Sequence, residues 1–103
     1  MAGPSVRLHP GAIAEAKAAY DWYAIRNSAA ANAFLFELDQ AIGKIQTSPE
    51  RWTAHLHGTR KILLRRFPYG VVYRITESAI QVIAVAHERR RPGYWKSRRF
   101  QIG

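Results

Sequence analysis

The chain has 103 residues, 48% of them hydrophobic, with no cysteine and a formal net charge of +9. That length suits one compact domain over residues 1–103, and the missing cysteine excludes disulfides, thiolate nucleophiles and cysteine metal sites, as suits a reducing cytoplasm. The charge is segregated: residues 1–50 carry four Lys or Arg against five Asp or Glu, and residues 51–103 carry twelve against two, a distribution that points to an acidic or polyanionic partner.

Met1 to Pro10 shows neither a basic leader nor an apolar core, so no secretory signal is expected. No apolar run reaches the length of a bilayer span, and no membrane association is expected. Ser5–Leu8 is a short candidate strand. Pro10 fits a first helical turn, where its missing N–H costs nothing. Ile13, Ala16, Tyr20, Tyr23 and Ala24 follow at helical spacing, which predicts a helix over 10–26. Asn27-Ser28 reads as a break and N-cap. A second helix is predicted over 29–47, with Phe34, Leu38, Ala41, Ile42 and Ile45 as its stripe, ended by Ser48-Pro49. So short a link makes the two helices an antiparallel hairpin.

The second half reads differently. Residues 51–58 have no clear period and are expected to be loop. Residues 61–67 form a β-type run with Ile62 and Leu64 on one face, and Pro68-Tyr69-Gly70 is a turn or bulge signal. In 71–76, Val71, Tyr73 and Ile75 share one face, with Val72 and Arg74 on the other. Glu77-Ser78 is a hairpin turn. Residues 80–86 are apolar except for Gln81, as in a central strand covered on both faces. A basic loop over 87–92 precedes a short helix or irregular tail over 93–100. The order is β-α-α-β-β-β. The class is therefore α+β, with the helical hairpin on one face of a mainly antiparallel sheet.

Two basic groups carry candidate chemistry. The first is His87-Glu88-Arg89-Arg90-Arg91-Pro92-Gly93-Tyr94-Trp95-Lys96-Ser97-Arg98-Arg99, where cations alternate with aromatics. Arginine pairs with phosphate or carboxylate oxygens through two parallel hydrogen bonds, and aromatic rings stack on bases. His87 is a candidate acid or base. Tyr94 could deprotonate a hydroxyl if the arginines lowered its pKa. Trp95 reads as an anchor of the tail to the core. The second group is Arg60, Lys61, Arg65, Arg66 and Arg74. Arg60, Arg66 and Arg74 have parities compatible with one exposed sheet face, unless a bulge near Pro68 breaks the register. Charge that protects a sheet edge accounts for one or two of these cations, not five. His55 and His57 alternate without a third ligand, and no metal or cofactor site is expected. No phosphate-cradling glycine loop or nucleophile elbow is present.

Three segments, 58–61, 67–75 (Phe-Pro-Tyr-Gly-Val-Val-Tyr-Arg-Ile) and 82–90 (Val-Ile-Ala-Val-Ala-His-Glu-Arg-Arg), resemble in order and spacing the RelE/ParE toxins of bacterial type II toxin–antitoxin modules. Arg91-Pro92-Gly93-Tyr94-Trp95 resembles the ParE-like, plasmid stabilization branch. The resemblance implies a microbial-RNase-like fold and a cognate acidic antitoxin in a hetero-oligomer. It also implies one of two targets: messenger RNA cleaved on the ribosome, or DNA gyrase. In the ribonuclease branch the position held here by Gly70 is often an arginine, and an arginine after the last strand is matched here by Glu88, unless a register shift lets Arg89 serve. His87 and Tyr94 remain as acid–base candidates. Arg60, Lys61, Arg65, Arg66, Arg74, Arg89, Arg90 and Arg91 remain as target or phosphate binders. Gly70 favours gyrase. A ribosome-dependent endoribonuclease and a degenerate, non-toxic antitoxin-binding module are the alternatives.

Overall fold

The structure, a computed structural model, describes residues 4–101; the part of the leader reading that rests on Met1–Gly3 lies outside them. Helix α1 (Pro10–Arg26) and helix α2 (Ser28–Thr47) follow strand β1 (Val6–Leu8). Both helices start on side-chain caps. Nδ1 of His9 accepts from the Gly11 N–H at 2.9 Å, ahead of Pro10 in the first turn. The Asn27 amide oxygen accepts from Ala29 and Ala30, satisfying donors that would otherwise be orphaned. The helix bounds match the sequence reading to within one residue.

The sheet order is β1-β5-β4-β3-β2, with β2 (Thr53–His55), β3 (Thr59–Leu63), β4 (Tyr69–Ile75) and β5 (Ile80–His87). Among the described residues only β1 pairs in parallel, against β5; the other pairings are antiparallel. The α+β hairpin-on-sheet class is the one observed. Two local readings need correction. Residues 51–58 are not a loop: β2 pairs with β3, and a single 3-10 turn (Leu56–Gly58) follows it. Strand β3 lies earlier than 61–67, and Tyr69-Gly70 belongs to β4, so the turn is residues 64–68. Backbone pairing to β5, which Pro68 cannot join through an N–H, sets that boundary. Of the two readings of residues 93–100, the irregular tail is the one observed, with turns over 92–97.

Two apolar clusters sandwich the sheet. On the helix side Ala12, Ala19, Phe34, Leu38 and Ile45 pack against Ile62, Leu64, Val71, Tyr73, Val82 and Val85. On the other side Trp95 covers Val72, Ile83, Ala84 and Ala86. Trp95 is 2% exposed, and at about 25 cal/mol per Å2 over roughly 150 Å2 its burial contributes on the order of 4 kcal/mol. The tail is therefore anchored as its sequence suggested. A β-bulge makes the two-sided packing of β5 work. Val72 pairs with Ala84 and Tyr73 with Val82, so Ile83 is the extra residue. Ile83 and Ala84 both face Trp95, and alternation resumes with Val85 on the helix side.

Candidate functional site

The bulge determines where His87 goes. Strict alternation from Ile80 and Val82 would put residue 87 on the Trp95 side. The extra residue returns it to the helix side, opposite Tyr69, with the two rings edge to face at 5.0 Å. There a groove of about 470 Å3 runs between α1 and the end of the sheet. Ala18, Ala19, Trp22 and Tyr23 form its α1 wall. Pro68, Tyr69 and Val85 form its floor, and Glu15, His87, Arg90 and Tyr94 close one end.

That closed end is an ionic cluster. Strand β1 covers β5 only over Ile80–Val82, which leaves the following stretch of the β5 edge without a partner strand. The Glu15 carboxylate accepts the Val85 N–H at 3.0 Å, and Arg98 donates to the Ile83 carbonyl at 3.0 Å. The Arg98 guanidinium grips both Glu15 oxygens at 2.9 Å. The two side chains are 16% and 21% exposed. Arg98 reaches them by crossing Gly11, where a Cβ would lie 2.6 Å from its guanidinium carbon. The Tyr94 hydroxyl donates to the other Glu15 oxygen. Burial, and then this bond to a carboxylate, push the Tyr94 phenol well above its ordinary pKa; Arg90 and Arg98 act the other way but are outweighed. The expected lowering by arginines is thus reversed.

His87 is also engaged. Its Nδ1 accepts the Arg89 N–H at 3.0 Å, so in the neutral ring Nε2 carries the proton and is the nitrogen left for a partner. Arg90 stacks over the Tyr94 ring at 3.9 Å. Of the residues singled out from the sequence, the structure brings His87, Arg90 and Tyr94 to one groove. Arg89 and Arg91 are exposed, and Arg91 lines a separate pocket on the Trp95 side with Lys61 and Glu88.

The second basic group is dispersed. Arg60 pairs across from Tyr73 and so faces the helix side, where it donates to the Trp52 carbonyl at 2.8 Å. Arg74, next to Tyr73, faces the other side. Arg66 is off the strands altogether, in the 64–68 turn. The shared exposed face for Arg60, Arg66 and Arg74 is therefore not found: residues of equal parity on hairpin partners share a face only in one register, and this register is the other one. Lys61 lies on the Trp95 side, 3.4 Å from Glu88. Its stem crosses Gly70, where a Cβ would meet Lys61 Cδ at 2.9 Å. Arg65 and Arg66 donate their backbone N–H groups to Glu37, and Arg66 adds its Nε.

Glu15 and Glu37 went unnoticed in the sequence, although each left a signal. Glu15 stands among the alanines of the buried α1 face, and Glu37 beside Leu38 in the stripe of α2. A carboxylate within an apolar stripe implies a partner brought by tertiary structure.

A family model described as the ParE toxin of the type II toxin–antitoxin system, parDE, matches residues 6–92. The chain belongs to the ParE toxin family. A chain of the chromosomal ParDE TA system from P. aeruginosa superposes with a TM-score of 0.72 at 19% identity, over 82% of this chain and 95% of that one; at that identity the likeness is one of fold. Among curated proteins, none matches this sequence significantly. The ParE match stops before Tyr94, Trp95 and Arg98, so the segment that seals β5 lies beyond it. Among the described residues no helix is long and apolar enough to cross a membrane.

Proposed function

We propose that this chain is the toxin of a type II toxin–antitoxin pair, held silent in the cytoplasm by an acidic antitoxin and arresting growth when free of it. Its proposed target is DNA gyrase. Position 70 carries this reading. Ribonuclease chemistry needs cations arranged around a scissile phosphate. Here the strand position that would supply an arginine is glycine, and the neighbouring Lys61 lies across it toward Glu88. The engagement of the Tyr94 hydroxyl by Glu15 supports the same reading, because a phenol with a raised pKa is a poor base near neutral pH.

The test is induction of the chain alone in a bacterial host, with supercoiling by purified gyrase assayed in parallel. Loss of supercoiling and a DNA-damage response, with transcripts intact, is the expected result. Toxicity is expected to survive His87→Gln and Tyr94→Phe. Supercoiling that is untouched at large excess over gyrase sinks the reading. Transcript cleavage lost in those two variants would assign the ribonuclease instead, and growth without arrest would leave an antitoxin-binding module.

A further inference from the structure

A cavity of about 480 Å3 lies at the C-terminal end of α2, between the helix and the segment 48–52 that leads into β2. Gln40, Gly43, Lys44 and Thr47 line it from α2. Their spacing of i, i+3, i+4 and i+7 puts them on one face of the helix. Arg51 and Trp52 form the facing wall. That wall is fixed to the sheet: the Tyr73 hydroxyl donates to the Pro49 carbonyl, and Arg60 donates to the Trp52 carbonyl at 2.8 Å. The indole packs on the core, and its Nε1–H donates to the Lys44 carbonyl at 3.5 Å. The cavity is therefore built before any ligand arrives.

Gly43 is its least explained residue. Glycine inside a helix is destabilising relative to alanine, and a Cβ at position 43 would meet nothing within 4 Å. No neighbour in the fold needs the missing side chain; what it leaves is room in the cavity. The chemistry around that room is cationic and planar. Lys44 and Arg51 are exposed, and among the described residues no carboxylate lies within ion-pair distance of either. A helix C-terminus ordinarily repels an anion through its free carbonyls. Here the Gly43 carbonyl accepts from Thr47 Oγ1 at 2.9 Å. The Lys44 carbonyl accepts from the Ser48 N–H at 3.0 Å and from Trp52. Two of those carbonyls are thus spent. The Arg51 guanidinium lies over the indole at 5.0 Å, which sets a cation beside an aromatic face. The Gln40 amide offers both a donor and an acceptor.

We propose that this cavity binds a nucleoside monophosphate, with its base against the Trp52 indole and the Gln40 amide and its phosphate on Lys44 and Arg51. A ring that stacks, an amide that meets a base edge and two unpaired cations are all used by that class of ligand. A bare anion or an uncharged aromatic uses only part of them. The inference goes beyond the gyrase reading and does not depend on it, since the test contains neither gyrase nor antitoxin.

A protein of net charge +9 attracts any anion, so the test must separate the nucleotide from its parts. The full chain is titrated by calorimetry with AMP, UMP, adenosine and inorganic phosphate, while the tryptophan indole N–H resonances are followed in parallel. The two nucleotides are expected to bind about tenfold more tightly than adenosine or phosphate. The Trp52 resonance, assigned with Trp52→Phe, should shift and that of Trp22 should stay in place. Lys44→Gln and Arg51→Gln should each weaken the nucleotides about tenfold and leave adenosine unchanged. Gly43→Leu fills the cavity from a helical position, deletes no polar group and introduces a better helix former. It should abolish nucleotide binding while its melting temperature stays at or above that of wild type. Phosphate that binds as tightly as AMP and UMP would reduce the site to general attraction by net charge and overturn the proposal. So would the absence of nucleotide binding, binding that survives Gly43→Leu, or a shift of Trp22 in place of Trp52.

Discussion

Glu15 accepts a hydrogen bond from the backbone N–H of Val85, seventy residues away, at 3.0 Å. The same carboxylate holds Arg98 and Tyr94. One side chain on α1 thus completes the edge of β5 where β1 ends and fastens the tail that places Trp95 over the far side of the sheet. Removing it leaves the Val85 N–H without its partner and takes both carboxylate bonds from a largely buried guanidinium, which keeps the Ile83 carbonyl. Glu15→Ala is expected to cost about 3 kcal/mol of stability in urea unfolding, since orphaned buried polar groups cost more than the bonds that satisfied them. Glu15→Gln, which still accepts from Val85, should cost less. Equal stability of wild type and Glu15→Ala would mean the edge is satisfied by water.

Tyr94 makes the cluster sensitive to alkali. Its phenol pKa is raised in the folded state by burial and by Glu15. The neutral form is therefore favoured by folding, and the stabilisation is fully present below the unfolded value near 10. It is lost as pH rises beyond that value. Melting temperature should fall between about pH 10 and pH 11, and less steeply in Tyr94→Phe than in wild type. Parallel profiles for the two proteins would contradict the assignment.

Glu37 gives the opposite sign. Burial pushes its pKa up, but hydrogen bonds from the Arg66 side chain and from the Arg66 and Arg65 N–H groups outweigh burial and hold it below 4.5. A carboxyl depressed by folding contributes stability above its unfolded pKa and loses it as pH falls through the folded one. Wild type should lose stability below about pH 4.5, and Glu37→Gln should show a shallower acid slope. At neutral pH, Glu37→Ala should cost about 1–2 kcal/mol by releasing the 64–68 turn. Hydrogen exchange at the Arg65 and Arg66 amides would report that release directly.

Gly70 is expected to tolerate alanine. The new Cβ meets Lys61 Cδ at 2.9 Å and Cγ at 3.1 Å, and Leu63 Cδ2 at 3.3 Å. Those are side-chain atoms, and the lysine can swing aside. Alanine also restricts the unfolded chain more than glycine does. The two effects nearly cancel, so Gly70→Ala should change stability by less than about 1 kcal/mol. The structural sign of the change is loss of the Lys61–Glu88 pair, visible as a shift of the Lys61 Nζ resonance. A loss of several kcal/mol would show that Lys61 is fixed rather than displaceable.

Local rules were enough to read both helices, because each is written in a few adjacent residues: Pro10 and Asn27 at the starts, Ser48-Pro49 at the end, and a stripe at helical spacing between them. The apolar run of 80–86 likewise announced a central strand, and Trp95 announced an anchor. Residues 51–58 hid a strand because β2 is only three residues long and gains its order from pairing with β3, not from its own pattern.

The site was less legible, since its assembly depends on register. Arg60 and Arg74 have equal parity in the sequence yet lie on opposite faces, because the β3–β4 pairing sets Arg60 across from Tyr73. His87 faces the groove only because Ile83 is an inserted residue in β5, and nothing in the run Val82-Ile83-Ala84-Val85 distinguishes a bulge from continuous alternation. Sequence alone thus determined the two helices, the central strand, the segregated charge and the family resemblance, all of which follow from neighbouring residues. Which of those charges share a surface, and which acid holds the tail, was decided by tertiary structure, because pairing register and contacts across seventy residues are properties of the folded sheet.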